Sequence, residues 1–423
     1  CILISVHEYS MATIKTTDIL ILGAGVGGYQ AFKKLNALLK RHGLPQKILI
    51  VDKHNYFSFA PLYHEVASGS IEPAHCTVPL RELVYKTPHE FLQAGILHID
   101  PKNKSVETTR GIIRYERCIV ALGSYTNYYN IPGAEEHSYH VRSLDGAMTL
   151  QEAMIEMLED DETPNIRMVI AGGGASGVEI AGQFAYFSRH DIRKLYPKKS
   201  LAISIIQSQK SLMTPLPEHA RDAIRKKLES MGVRIFFNAS VKEVQKNAVV
   251  LASGETIPSD ITVWAAGLRG FADEFLPPEY VSNGRIPVNQ FLHHADDSSL
   301  YALGDISLAL NERGAPYPQL GEAAHNAGTY VARHIIADIK KQPTRPFHFE
   351  SKGTLMPIGD WDGIVSIKNR WSFSGSLAWW IRRTFYLLFV PGILRKLRII
   401  ADWNFHLFGF RYMLDMNKER KRK

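Results

Sequence analysis

The run Asp18-Ile19-Leu20-Ile21-Leu22-Gly23-Ala24-Gly25-Val26-Gly27-Gly28 limits this chain to few folds, because an apolar strand passes directly into G-x-G-x-x-G. Over residues 29–39 apolar side chains recur at helical spacing, and Ile48-Leu49-Ile50-Val51 then reads as a second buried strand, ending in Asp52. Strand, glycine turn, helix and strand together make one βαβ unit. Within it Gly23 allows the tight turn, Gly25 lets the backbone approach a pyrophosphate, and Gly28 lets the helix pack on the strand. The helix N-terminus supplies unpaired N–H donors and a positive dipole end, and Asp52 can accept hydrogen bonds from ribose hydroxyls. An isolated glycine turn has none of this context; the complete unit predicts a nucleotide site.

The pattern recurs. Arg167-Met168-Val169-Ile170-Ala171 is an apolar strand leading into Gly172-Gly173-Gly174-Ala175-Ser176-Gly177-Val178-Glu179, with a helix expected over 178–187. The next strand, Leu201-Ala202-Ile203-Ser204-Ile205-Ile206, ends at Gln207, where an acid is expected for an unphosphorylated adenosine ribose. A helix over 217–231 and strands at 233–237 and 249–251 follow, and Ile261-Thr262-Val263-Trp264-Ala265-Ala266-Gly267 closes the unit. Leu300-Tyr301-Ala302-Leu303-Gly304-Asp305 is a further strand whose acid suits the ribityl chain of a flavin, and the helix over 321–340 would aim its N-terminus at the flavin ring.

Between the units, the aromatic run 55–63 leads to a short helix over 64–69, a helix starts within 77–83, and 95–99 and 105–108 are strand-like. Arg117-Cys118-Ile119-Val120-Ala121-Leu122-Gly123 returns the chain to the first sheet, with Cys118 packing in the core. The expected fold is α/β with two Rossmann-type dinucleotide-binding domains, the second inserted in the first, and a C-terminal membrane-associating helical region. The expected divisions are 11–145 and 275–345 for the first domain, 146–274 for the insert and 346–423 for the C-terminal region.

Composition narrows the function classes. A chain of 423 residues suggests two or three domains, and 45% hydrophobic residues describe a folded protein. The cysteines at 1, 76 and 118 form no C-x-x-C pair, which points to a reducing compartment and against a redox-active cysteine pair. No metal is assigned. The net charge of +8 lies wholly in the tail: residues 378–423 hold eleven Lys/Arg and three Asp/Glu, and the other 39 basic and 39 acidic residues cancel. No nucleic-acid recognition motif accompanies that charge. The first ten residues look like neither a signal nor a transit peptide, and Met11 reads as the start.

The tail itself suggests a membrane surface. Residues 376–390 are strongly apolar, interrupted by Arg382-Arg383 and ended by Pro391-Gly392, too short to span a bilayer. A helix over 394–414 places Leu394, Leu397, Ala401, Phe405 and Phe408 near one face, with Arg395, Lys396, Arg398 and Asp402 away from it. Tryptophans, aromatics and basic residues in this mixture describe helices lying in an interface, and the basic cluster at 418–423 suits anionic lipid. The alternative is a helical pair packed on the protein or forming a homodimer contact.

Taken in order, these motifs resemble the type II NADH:quinone oxidoreductases from about residue 17 to 411. The resemblance rests on both glycine loops, Phe59-Ala60-Pro61-Leu62-Tyr63 with Val66-Ala67-Ser68-Gly69, Gly177-Val178-Glu179, Trp264-Ala265-Ala266-Gly267, Ala302-Leu303-Gly304-Asp305 and Lys352-Gly353. It implies an enzyme with FAD on the first unit and NAD(P)H on the second. Hydride would pass from nicotinamide C4 to flavin N5, and two electrons onward to a membrane quinone. It further implies a peripheral protein on the cytoplasmic face of the cell membrane. By carry-over Gly23, Gly25, Gly28, Asp52, Gly304 and Asp305 hold FAD, while Gly172, Gly174, Gly177, Gln207 and Gly267 line the NAD(P)H site. Glu179 lies near the nicotinamide, or is simply a first-turn acid favoured by the helix dipole.

Two departures from the family pattern stand out. Where the family usually carries Ala-Gln and a second Gln four residues on, this chain has Gly321-Glu322 and Asn326; Glu322 can accept a proton relayed to quinone, or it marks a different acceptor. Gln207 lacks the charge that repels a 2′-phosphate. Mixed use of NADH and NADPH is expected, within roughly a hundredfold, with Lys210 either reaching the phosphate or solvated on its loop. The competing class is a two-Rossmann flavoprotein that acts as a redox-responsive binding or signalling module with slow electron transfer.

Overall fold

The computed structural model describes residues 14–368, 371–408 and 411. Two compact units make up the chain: one from Val78–Tyr125, Arg269–Ser351 and the described residues up to Phe57, the other from Ser58–Thr77, Thr126–Leu268 and the described residues from Lys352 onward.

In the first unit the fingerprint strand Lys15–Leu22 is central in an eight-stranded sheet. Ile48–Asp52 and then Glu90–Gln93 pair parallel on one side, and Gly111–Val120 and Asp297–Ala302 on the other. Chain order therefore reverses between Lys15–Leu22 and Gly111–Val120, and such a switch point opens a crevice at the carboxyl ends of the strands. The glycine helix runs Val26–His42, burying Ala31, Phe32, Leu35 and Leu39 at helical spacing. It ends where Gly43 turns left-handed after a basic last turn. Leu20, Leu22, Val51, Cys118, Val120, Phe271 and Ile306 are among the residues of its core.

The second unit repeats the scheme with four parallel strands in the order Arg234–Phe237, Ser200–Gln207, Asn165–Ala171, Ile261–Trp264. Its glycine helix, Ala175–Phe187, continues through a π-helical turn, Ser188–Ile192. Of the residues expected as a separate C-terminal region, the described ones from Lys352 onward group with this unit and 346–351 with the first. Gly353–Pro357, Gly363–Ile367 and Trp371–Ser374 form an antiparallel sheet, followed by helices Ser376–Phe389 and Ile393–Phe408.

Several local expectations shift. The expected helix start within 77–83 is first a short strand, Thr77–Pro79, because Pro79 holds an extended backbone before the helix Leu80–Val84. Arg382 and Arg383, which interrupt the apolar run in sequence, are both buried, and the exposed side chains of their helix include Leu377, Trp380, Phe385 and Leu388. In the last helix Leu394, Leu397 and Phe405 are exposed, whereas Ile399, Asp402 and Trp403 face inward, so the side opposite the apolar stripe meets protein. Residues 1–13 with Met11, the Phe408 side chain, and 412–423 with the basic cluster lie outside the described residues. Among the described residues no helix is long and apolar enough to cross a membrane.

Candidate functional site

The two glycine loops share one backbone design. Gly23 and Gly172 have φ of +89° and +113°, and a Cβ on either would come within 2.6 Å of a carbonyl oxygen, of Ala121 and Ala265 respectively. Gly28 and Gly177 each lie over their own turn, with a Cβ falling 1.9 Å from Gly23 O and 2.0 Å from Gly172 O. These four glycines are demanded by chain packing. Gly25 and Gly174 differ, because a Cβ on either meets nothing within 4 Å. Each is the N-cap of its helix without a side-chain cap, so first-turn N–H groups stay available beside open space. That is the cradle a pyrophosphate needs.

The second strand of each unit ends at the same register, Leu22 opposite Val51 and Ala171 opposite Ile206, so Asp52 and Gln207 are equivalent. Asp52 accepts from the N–H of Ala24 at 2.7 Å and of His54 at 2.8 Å. Gln207 accepts from Gly173 N–H at 3.1 Å through Oε1 and donates from Nε2 to Ser211 O at 3.0 Å. In the second unit, Asn127 N–H donates to Gly267 O at 3.1 Å.

Asp305 is buried in the first unit, in a short 3₁₀ turn after the strand Asp297–Ala302, with Ser124 Oγ donating to its Oδ2 at 2.8 Å. Gly304, at φ +74°, makes that turn. Asp305, Gly304, Pro318, Leu320 and Ala323 share a small cleft of about 20 Å³. The helix beyond, Gly321–Ile339, starts at Leu320 without a side-chain cap and carries Glu322 in its first turn. Ser351 Oγ donates to Glu322 Oε2 at 3.1 Å, and Asn326 Nδ2 donates to the Glu322 carbonyl at 2.9 Å.

Glu179 sits in the second glycine helix beside a buried network that the sequence reading missed. Glu65 is wholly buried; Arg382 Nη1 donates to its Oε1 at 2.8 Å and Trp403 Nε1 to its Oε2 at 2.7 Å. Burial alone would raise the Glu65 carboxyl, but Arg382, His64 and Arg383 outweigh it and hold the pKa well below the usual carboxylate range. Arg382 Nη2 lies 3.1 Å from His64 Nε2. The same Nε2 lies 3.6 Å from Glu65 Oε1, and Nδ1 on the other edge of the ring lies 3.6 Å from Glu179 Oε2. The His64 ring therefore stands between Glu65 and Glu179. Arg383 lies between the Trp379 and Trp403 rings, 3.6 and 4.5 Å from their centroids, and burial lowers its pKa to about 10 despite Glu65 and Asp360 nearby. The readable signal for this network was His64-Glu65 set inside an otherwise apolar stretch.

Cys76 and Cys118 are buried free thiols; burial pushes Cys76 up to about 12 and Cys118 further, so neither offers a thiolate. Among the described residues no group of three or more His, Cys, Asp or Glu is arranged to hold a metal ion.

The sequence profile described as pyridine nucleotide-disulphide oxidoreductase matches residues 17–328. The chain belongs to this family. Its relatives include a probable NADH dehydrogenase of Dictyostelium discoideum, 25% identical over 92% of this chain and 89% of that protein. A type II NADH:quinone oxidoreductase of Haemophilus influenzae is 26% identical over 84% and 87%. Among solved structures, NDH2 from Plasmodium falciparum in complex with NADH superposes with a TM-score of 0.84 at 19% identity, covering 94% of this chain and all of that one. The fold is therefore the one that family uses, with two parallel-sheet nucleotide units and C-terminal helices.

Proposed function

We propose that this protein is a flavin-dependent NAD(P)H:quinone oxidoreductase working at a membrane surface. The observation that carries the reading is the duplicated glycine-loop unit ending in Asp52 in one copy and Gln207 in the other, within a chain similar to NADH dehydrogenases. FAD, when bound, supplies acceptance of hydride from a reduced nicotinamide and delivery of two electrons to a quinone. Gly23, Gly25, Gly28, Asp52, Gly304 and Asp305 fit FAD: the uncapped N–H groups suit its pyrophosphate, and the two buried or half-buried acids suit its hydroxyls. Gly172, Gly174, Gly177, Gln207 and Gly267 fit the pyridine nucleotide by the same chemistry. Glu179, 3.6 Å from His64 Nδ1, is the acid offered to the nicotinamide end, and Glu322 can accept a proton relayed to quinone.

The test is to purify the protein in detergent, record its flavin spectrum, and follow NADH and NADPH oxidation with and without a soluble quinone. Rapid turnover that requires quinone is the expected result. Flavin bleached by NADH but reoxidised slowly by quinone overturns the enzyme reading in favour of a redox-responsive module. Glu322→Ala should slow reoxidation by quinone while leaving bleaching nearly intact; equal loss in both removes Glu322 from the acceptor side.

The outward apolar stripe of the tail supports docking to a membrane surface, at the cytoplasmic face given the unpaired cysteines: Leu394 and Leu397 are 68% and 53% exposed. Deleting the chain after Ser374 is a poor test, because it removes Arg382 and strands buried Glu65. Leu394→Glu with Leu397→Glu keeps the network and should abolish flotation with anionic vesicles, since two buried leucines contribute about 3–6 kcal/mol. Retained flotation overturns membrane docking by this stripe, and a loss of dimer in sedimentation assigns it to a homodimer contact instead.

A further inference from the structure

In the second unit the glycine helix Ala175–Phe187 widens at its far end into the π-helical turn Ser188–Ile192, followed by the short helix Arg193–Leu195. A π turn shifts the helical phase of the residues beyond it. Here Asp191 points inward, 3.4 Å from the buried Arg411 Nε, while Arg189, His190, Arg193, Lys194 and Leu195 are exposed. Arg189 donates to the Ser230 carbonyl at 2.9 Å, and among the described residues neither Arg193 nor Lys194 pairs with an acid. A short run of cations is ordinarily just a solvated surface; this one has tryptophans for neighbours. The His190 ring stacks on Tyr186 at 4.0 Å, and the Tyr186 hydroxyl shares a hydrogen bond with the Trp361 side chain. Trp361 stands at φ +64°, an uncommon backbone for a bulky residue, its ring stacked on buried Trp379 at 5.0 Å and 6.2 Å from Trp380. Trp361 and Trp380 are both exposed, and Trp380 shares the outer face of its helix with Leu377 and Leu388. The acids flanking Trp361 are already neutralised: Asp360 is buried 2.8 Å from Arg411, and Asp362 lies 2.8 Å from Lys227 Nζ. Cations and indole rings therefore reach solvent side by side. Indole rings favour the headgroup level of a bilayer, where lysine and arginine meet lipid phosphates.

We propose that the turn at Arg189, Arg193 and Lys194, with Trp361 and Trp380 beside it, is a contact site for the phosphate headgroups of anionic lipid, separate from the stripe at Leu394 and Leu397. The inference rests on the membrane-surface reading and adds to it a choice of lipid and an orientation. The basic turn and the glycine loop lie at opposite ends of one helix, about 20 Å apart by helical rise. Lipid held at one end leaves the other open to a soluble nucleotide.

Binding of the full flavoprotein to vesicles of phosphatidylcholine alone, and of phosphatidylcholine mixed with phosphatidylglycerol, separates the two contacts. Tighter binding to the mixed vesicles is expected, with the advantage shrinking as salt rises. Arg193→Gln and Lys194→Gln should each reduce that advantage by about fivefold, the worth of one cation near an anionic surface. Lys242→Gln with Lys246→Gln, which removes two exposed charges on and beside the strand Val241–Gln245, should leave it unchanged. Trp361→Ala should weaken binding to both vesicle types. Arg193 and Lys194 are exposed, so their substitutions test the site even if the Trp361 variant folds poorly. Equal binding of the wild type to both vesicles, or an advantage that survives substitution of both cations, overturns the lipid site alone. Capture of a soluble polyglutamate peptide as tight as that of the mixed vesicles, with Trp361→Ala without effect, overturns it in favour of an acidic protein partner. Failure of the wild type to bind either vesicle overturns the membrane reading beneath it.

Discussion

The two glycine-loop units are nearly superposable in backbone logic and opposite in what backs them. In the first, the glycine helix rests on small apolar residues: a Cβ on Gly27 would fall 2.2 Å from Leu303 Cδ1, and one on Gly328 would fall 2.4 Å from Gly27 O. In the second, Gly182 meets Gly359 in similar close contact, but the same helix also carries Glu179, with His64, Arg382 and Glu65 behind it. A glycine loop thus settles where a pyrophosphate can lie, and the residues behind and beside it settle which nucleotide and which chemistry. The first unit has no need to orient an acid at its helix. The second does so with buried charge, a costly material that persists only when every partner is present.

The largest effect should come from breaking that network. Glu65→Gln leaves Arg382 buried without its counter-ion and should destabilise the protein by about 3–5 kcal/mol, measured by thermal or urea unfolding. The double substitution Glu65→Leu with Arg382→Met should recover most of that loss, since removing both charges avoids the orphaned one. The pH dependence has a definite sign. Because the folded Glu65 pKa is depressed, its contribution is fully present above the unfolded carboxylate value of about 4.3 and is lost as pH falls through the folded value. Glu65→Gln should flatten that acid arm. An unchanged acid arm would show that the two units are stabilised alike, and the contrast drawn above would fail.

A smaller effect should separate the units by ligand. Gly28→Ala and Gly177→Ala each force a carbonyl to move, at about 1–3 kcal/mol, and each should damage only its own site. Protein with Gly28→Ala should purify with little flavin by its visible absorbance. With Gly177→Ala it should keep flavin and lose bleaching by NADH. The same loss in both variants would mean that the two loops serve one nucleotide, contrary to the assignment of one to each.

How much of this was legible in the sequence follows from the range of the interactions. Both loops, their strands and helices could be read because period, glycine spacing and strand ends are local; even the equivalence of Asp52 and Gln207 needed only position. The helix over 394–414 was read from its stripe, and Leu394, Leu397 and Phe405 of that stripe are exposed on the helix Ile393–Phe408. Arg382 was misread as an interruption because its partner, Glu65, is 317 residues away. A charge in an apolar helix looks solvent-seeking until tertiary packing supplies the opposite charge.

The smallest effect, and the sharpest for the comparison, concerns exchange at the strand ends. Gln207→Glu gives the second unit an acid like that of the first. The new carboxylate can still accept from Gly173 N–H, but it meets the Ser211 carbonyl acceptor to acceptor, so one hydrogen bond is lost at a cost of about 1 kcal/mol. Its charge also opposes a 2′-phosphate, so the ratio of kcat/KM for NADPH to that for NADH should fall by roughly tenfold, about 1.4 kcal/mol. The reverse exchange, Asp52→Gln, should not give the first unit a phosphate site. His54 N–H would lose its carboxylate acceptor, and the acid is followed directly by Lys53 and His54. Flavin affinity should drop, with no preference for a phosphorylated ribose taking its place. If Gln207→Glu leaves the nucleotide ratio unchanged, the strand end does not meet the ribose, and the register equivalence of Asp52 and Gln207 is one of backbone alone.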